Sequence, residues 1–241
     1  MQLSKNKRHQ YIFFLILSLY TVFNGGNSNL SIQINFILIS FLFLYCFKDK
    51  NYYSHLKIFY LKNKFSILFY ILFLLYLIFQ ILPFPIEYLK LFSSFKYDYI
   101  TELSNDILFS PISLSPSNSY FQILNFTSLL IVVFILNMIF YTDRHKERLY
   151  LFLSIIGFLA SVFAIMIYLN GNPNFFFFNN SYYSNSATGF FINRTVFAIF
   201  LSFCLIASLE ILKILDKKKI KINKDNFFSK IYIRLFIIFI T

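Results

Sequence analysis

The sequence predicts an all-α, polytopic transmembrane helical bundle, and three observations carry that expectation. Of the 241 residues, 58% are hydrophobic and only 13% are charged, with a mean hydropathy of +0.65. That is too apolar for a soluble domain. Six apolar runs, at 11–23, 30–47, 65–82, 120–141, 149–169 and 189–215, approach or reach the roughly 20 residues that cross a hydrocarbon core. The basic residues alternate between connections, dense in every second one and sparse in the others, the pattern that orients membrane helices.

Taken in order, the N-terminal tail holds Lys5, Lys7 and Arg8 ahead of the first run, which places it in the cytoplasm. A basic tail before a short apolar core is also a signal-peptide pattern. The exit, NGGNSN, lacks a small-x-small cleavage site, so the run reads as an uncleaved first helix. The connection 24–29 carries no charge and reads as outer. After the second run, 48–64 holds Lys48, Lys50, Lys57, Lys62 and Lys64 and reads as cytoplasmic. The third run stops at Pro83 and Pro85, because proline lacks an amide donor and restricts its predecessor. Residues 86–92 then place Ile86, Leu89, Leu91 and Phe92 among Glu87 and Lys90, which predicts a short interfacial helix on the outer leaflet.

The rest of the segment 83–119 is outer and precedes the fourth run, for which Ser117, Asn118 or Ser119 is the expected N-cap. The connection 142–148 holds Arg144, Lys146 and Arg148 and is cytoplasmic. The uncharged connection 170–188 is outer, and its phenylalanine run 175–178 is expected to dip into the interface. After the sixth run, 216–230 carries Lys217, Lys218, Lys219, Lys221, Lys224 and Lys230 and returns the chain to the cytoplasm. A seventh run begins near Ile231 and would rise only about 16 Å before Thr241, half a hydrocarbon core. The expectation is therefore a single incomplete membrane domain over 1–241, with six full spans, a truncated seventh and a cytoplasmic N-terminus.

Composition also bounds function. A net charge of +12 suggests nucleic acid in a soluble protein, but here it serves orientation and contact with membrane lipids, and no nucleic-acid partner is expected. The abundance of Phe (36) and Tyr (18), with no Trp, reads as AT-rich codon usage rather than a binding platform. Cys46 and Cys204 lie inside apolar runs and read as small core hydrophobes. The sequence clusters no metal ligands, so neither a metal nor a cofactor is expected. No internal repeat and no pair of Gly/Pro-broken helices marks an inverted-repeat transporter. Polar residues within the runs are sparse: Gln33, Asn35, Gln80, Asn125, Asn137 and Arg194. Asn35 and Asn137 are expected to hydrogen-bond between helices.

Arg194 is the costly one. Arginine near the centre of a spanning helix costs roughly 2.5–3.5 kcal/mol, less near an end, and a charge kept there points to function. Helical spacing from Gly189 places Asn193, Val196 and Phe200 on one face. Gly189 would admit a neighbouring backbone, and Asn193 would bond across. A guanidinium at the outer mouth either snorkels to headgroups or binds phosphate oxygens with its fixed fork. His9, His55 and His145 all fall in cytoplasmic segments, so no outer histidine is available as a base. The outer carboxylates Glu87, Asp98, Glu102 and Asp106 show no spacing that marks a catalytic pair.

The segment GFFINRTVFAIFL (189–201) resembles the signature of the O-antigen ligase / O-antigen polymerase family of membrane glycosyltransferases. Gly189, Phe191, Asn193, Arg194, Phe197 and Ala198 match, and Thr195 stands where a second Asn is usual. ILPFPIEYLKLFS (81–93) is similar to the family's Pro-x-Pro exit, with Ser93-Ser94 replacing its Ser-Pro. ISLSPSNSYFQIL (112–124) is similar to its pre-helix segment. The resemblance covers the family's N-terminal half. The large periplasmic loop with its His and further Arg, and the remaining helices, are missing from these 241 residues.

The resemblance implies transfer of a glycan from an undecaprenyl-diphosphate carrier to an acceptor hydroxyl at the periplasmic face of the bacterial inner membrane. The acceptor would be lipid A–core in a ligase, or another glycan in a polymerase. It also implies that Arg194 contacts the diphosphate with Asn193 beside it, that Gly189 and Ala198 belong to a helix-packing motif, and that no cofactor is needed. The alternatives of another class are a membrane solute transporter and a non-catalytic membrane fragment.

Overall fold

A computed structural model describes residues 2–23, 25, 28–103, 107–173, 186–191 and 193–219. They form eight helices and one short ribbon: α1 (Gln2–Val22), α2 (Asn29–Phe47), α3 (Lys50–Ile81), β1 (Pro83–Pro85), α4 (Ile86–Phe92), α5 (Ser94–Leu103), β2 (Phe109–Pro111), α6 (Pro116–Ile139), α7 (Asp143–Leu169) and α8 (Arg194–Lys219). Five of these helices, α2, α3, α6, α7 and α8, are long and apolar enough to cross a membrane. α1 is 21 residues long, but its first half is the polar stretch QLSKNKRHQ. The seventh run near Ile231 and the phenylalanine run 175–178 lie outside the described residues.

Among the described residues, the charged connections are largely helical rather than loops. α3 begins at Lys50 and continues through the lysine-rich stretch before its apolar half. A kink at Asn63 (φ −119°, ψ 22°) separates the two parts, and the Asn63 side chain donates to the Phe59 carbonyl at 3.0 Å. Short polar residues start the helices by accepting amide hydrogens that have no partner inside the helix. Ser28 and Ser31 exchange side-chain-to-amide bonds of 3.1 and 3.2 Å at α2. Asp49 accepts from Asn51 at α3, and Thr142 caps α7 through the His145 amide. At α6 the cap position is Ser115, not Ser117, Asn118 or Ser119, because Pro116 takes the first helical position. Proline suits that place, since its missing N–H is not needed there.

The main core lies where α1, α2 and α6 meet, around Phe13, Ile16, Ile39, Leu42, Ile135 and Met138. α3 packs on α6. α7 and α8 pair along a seam of small residues, with Gly157, Ala160 and Ala164 on one side and Cys204, Ala207 and Ser208 on the other. Small side chains let two backbones approach closely, which is how helices gain packing energy when lipid removes the hydrophobic drive between them. A Cβ at Gly157 would stand 2.5 Å from the Cys204 Cβ.

The 83–119 segment is more ordered than its sequence announces. α4 spans Ile86–Phe92 as expected from its pattern. α5 and the ribbon were not expected. β1 and β2 pair antiparallel, with Phe84 opposite Ser110 and Pro83 opposite Pro111. Pro83 has no amide hydrogen to give its partner. Lys96 of α5 supplies donors instead: the residue is 7% exposed, and its ammonium bonds the Pro111 carbonyl and, at 2.5 Å, the Ser113 carbonyl. Burial holds the Lys96 pKa below the ordinary lysine value. Asn137 also departs from expectation: its amide donates to the Val133 carbonyl of its own helix at 2.8 Å, not to a neighbour.

Candidate functional site

Arg194 is the first residue of α8. The sixth apolar run therefore does not become helical at Gly189, and the anticipated helical face of Gly189, Asn193, Val196 and Phe200 does not form. Gly189 sits in a turn with φ +57°, a conformation that side chains disfavour. It lies against α7: a Cβ there would meet the Ala164 Cβ at 3.0 Å, its Cα at 3.3 Å and the Ala160 carbonyl at 3.5 Å.

The residues that follow anchor this turn. Phe190 stacks on Phe163 of α7, with ring centroids 3.9 Å apart. Phe191, 5% exposed, packs on Phe197 and Phe200. Its ring fills the space beside Gly25, where a Cβ would come within 2.2 Å of it. The connection after α1 thus supports the entry to α8. On the other flank, the Asn172 side chain donates to the Ser186 carbonyl at 3.2 Å, and Thr188 is fully buried.

Asn193 is the cap of α8. Its Oδ1 accepts the Thr195 amide at 2.8 Å, and its carbonyl accepts the Phe197 amide at 3.1 Å. The asparagine thus orients the first turn of α8 rather than bonding a neighbouring helix. Arg194 is exposed, and among the described residues it has no ion pair or hydrogen bond. Ala198, one turn further on, is exposed on the same side as Arg194 and outside the α7 seam. The positive end of a helix dipole disfavours a cation by about 0.3–1 kcal/mol. The same end, with its unshared amides, favours an anion. An anion seated at this mouth would gain from the guanidinium and relieve the repulsion at once.

The remaining predicted groups are not gathered here. Glu87 opens on a separate cleft of about 380 Å³ with Thr101, Leu108 and Phe109, and Asp106 lies outside the described residues. Among the described residues, no group of His, Cys, Asp and Glu could hold a metal.

The three histidines converge at the other end of the bundle. His9 Nδ1 is 2.9 Å from the Tyr52 hydroxyl. Asn6 Nδ2 lies 3.4 Å from His145 Nδ1. Arg148 donates to Gln10 at 3.0 Å, and His55 stacks on Tyr141 at 3.9 Å. This polar knot fastens α1 to α3 and α7. Its signal in the sequence is the helical spacing of Asn6, His9, Gln10 and Phe13, which puts all four on one side of α1.

No known protein family, characterised protein or solved structure matches this chain.

Proposed function

We propose that the chain is an O-antigen ligase-like glycosyltransferase of the bacterial inner membrane, which acts on an undecaprenyl-diphosphate-linked glycan; an O-antigen polymerase of the same family is the runner-up. In this reading α1 is a sixth crossing, the N-terminus is cytoplasmic, and the entry to α8 faces the periplasm.

One observation carries the proposal: among the described residues Arg194 has no partner, and it stands at the amide-rich end of α8, on a turn anchored by Gly189, Phe191 and Asn193. In the proposed reaction, an acceptor hydroxyl on lipid A–core or on a glycan attacks the anomeric carbon. The bond to the diphosphate breaks, and the acceptor loses its proton. Charge grows on the leaving diphosphate, and a cation beside oriented amides stabilises it. Arg194 takes that role. The proton passes to a base at the same face; the three histidines stand at the opposite end of the bundle.

The test is glycan transfer in cells that carry the full-length protein. Arg194→Ala should abolish transfer with the membrane level of the protein unchanged, and Arg194→Lys should restore a minor part, because an ammonium lacks the two-pronged geometry. Full transfer by Arg194→Ala would assign the arginine to headgroup contact and remove the basis of the proposal.

A further inference from the structure

A second site opens between α1, α2 and α6, independent of the Arg194 reading. It is a cavity of about 360 Å³ whose lining includes Tyr20, Asn35, Gln122, Asn125, Ile39 and Val132, and it carries no charged side chain. Its polarity is graded. Tyr20 lies near the end of α1, Asn35 near the start of α2, and Gln122 and Asn125 near the start of α6. All four belong to the end of the bundle that also bears Arg194. Ile39 and Val132 lie deeper; Val132 is about 15 Å further along α6 than Gln122 at the helical rise of 1.5 Å per residue.

The amides are left over by the fold. Along α6, Thr127, Asn137 and Ser128, the last also on the cavity wall, each return a hydrogen bond to a carbonyl one turn back, at 2.7–2.8 Å. Tyr20, Asn35, Gln122 and Asn125 make no side-chain hydrogen bond among the described residues. Polar groups left without a partner inside a membrane bundle are costly, and a bound molecule with matching groups would satisfy them. It needs donors and acceptors at one end and an apolar body at the other. It must also be uncharged, because nothing in the cavity neutralises a charge.

We infer that this cavity binds a membrane amphiphile with an uncharged, hydroxyl-bearing head: the head meets Asn35, Gln122 and Asn125, and the alkyl chain runs down past Ile39 and Val132. The lack of a cation sets it apart from an anionic lipid site.

The chain has no tryptophan, so Phe126→Trp, on the cavity wall, introduces a single reporter. Residues 1–241 in nanodiscs are titrated with monoacylglycerol or lysophosphatidic acid carrying the same brominated chain, and tryptophan quenching is read. Monoacylglycerol should be preferred about fivefold at position 126, the weight of roughly one neutral hydrogen bond. A reporter at Phe69→Trp, on the outward side of α3, should show no preference. Adding Asn35→Leu and Asn125→Leu to Phe126→Trp should bring the two lipids to parity. Parity in the single reporter, no quenching there, an equal preference at position 69, or a preference that survives the two leucines would each overturn the inference. The single reporter decides the matter even where the leucine variant fails to fold.

Discussion

Arg194 and Asn193 are adjacent but do different work. Asn193 spends its side chain on the Thr195 amide, so it shapes the first turn of α8 and is not free to hold a ligand with that oxygen. Replacing a capping Asn by Ala typically costs about 1 kcal/mol. Asn193→Ala should therefore raise hydrogen exchange at the first-turn amides of α8 about fivefold, while Asn193→Asp should keep them protected. Unchanged exchange in the alanine variant would show that the cap does not hold the turn. Arg194 is the reverse case: it is exposed, has no partner among the described residues, and sits at the helix end that repels it. Such a residue contributes nothing to folding that an alanine would not, which is why its substitution is an informative probe of function.

At the scale of elements, the seam between α7 and α8 rests on the absence of side chains. With Gly157 against Cys204, Gly157→Val should overpack the seam and destabilise the protein by about 1–3 kcal/mol. This can be read as a lower thermal midpoint in detergent, whereas Ile155→Val, at an exposed position of the same helix, should shift it little. The five long apolar helices were legible in the sequence because a hydrocarbon core demands sustained apolar runs. Their ends were less legible. The lysine-rich stretch 50–64 is polar, yet it continues α3 as helix, since lysine and leucine are both good helix formers. The start of α8 was read five residues early, because GFFI is apolar throughout and hydropathy does not register the positive φ at Gly189. The β1–β2 ribbon gave no sign at all: two strands of three residues that contain three prolines carry no alternation, and they are held by Lys96 from a separate helix. The polar knot around His9 was only half visible. Charge alternation predicts that the three histidines share one side of the membrane, but their convergence is a product of tertiary packing.

At the scale of the whole molecule, the bundle has two chemically distinct ends. One gathers the histidines, tyrosines and Arg148; the other presents Arg194, the Lys96-stapled segment and the mouth of the uncharged cavity. The proposed orientation places the second end outside. In a background with Cys46 and Cys204 replaced by serine, Thr195→Cys should react with an impermeant maleimide in right-side-out vesicles, and Lys57→Cys only after permeabilisation; the reverse pattern would invert the bundle. The site itself was legible in the sequence only as a costly arginine beside an asparagine. That the turn before it is pinned by Phe190 on Phe163 and by Phe191 on Gly25 depends on contacts between segments far apart in the chain, and no local pattern encodes those. The central claim is that this mouth holds a lipid diphosphate through Arg194. Native mass spectrometry of residues 1–241 with undecaprenyl diphosphate and with undecaprenol tests it most directly. The account predicts that the diphosphate binds at least about tenfold more tightly, in keeping with charge-assisted hydrogen bonds, and that Arg194→Ala removes this advantage. Equal binding of the two lipids, or an advantage that survives Arg194→Ala, would contradict it.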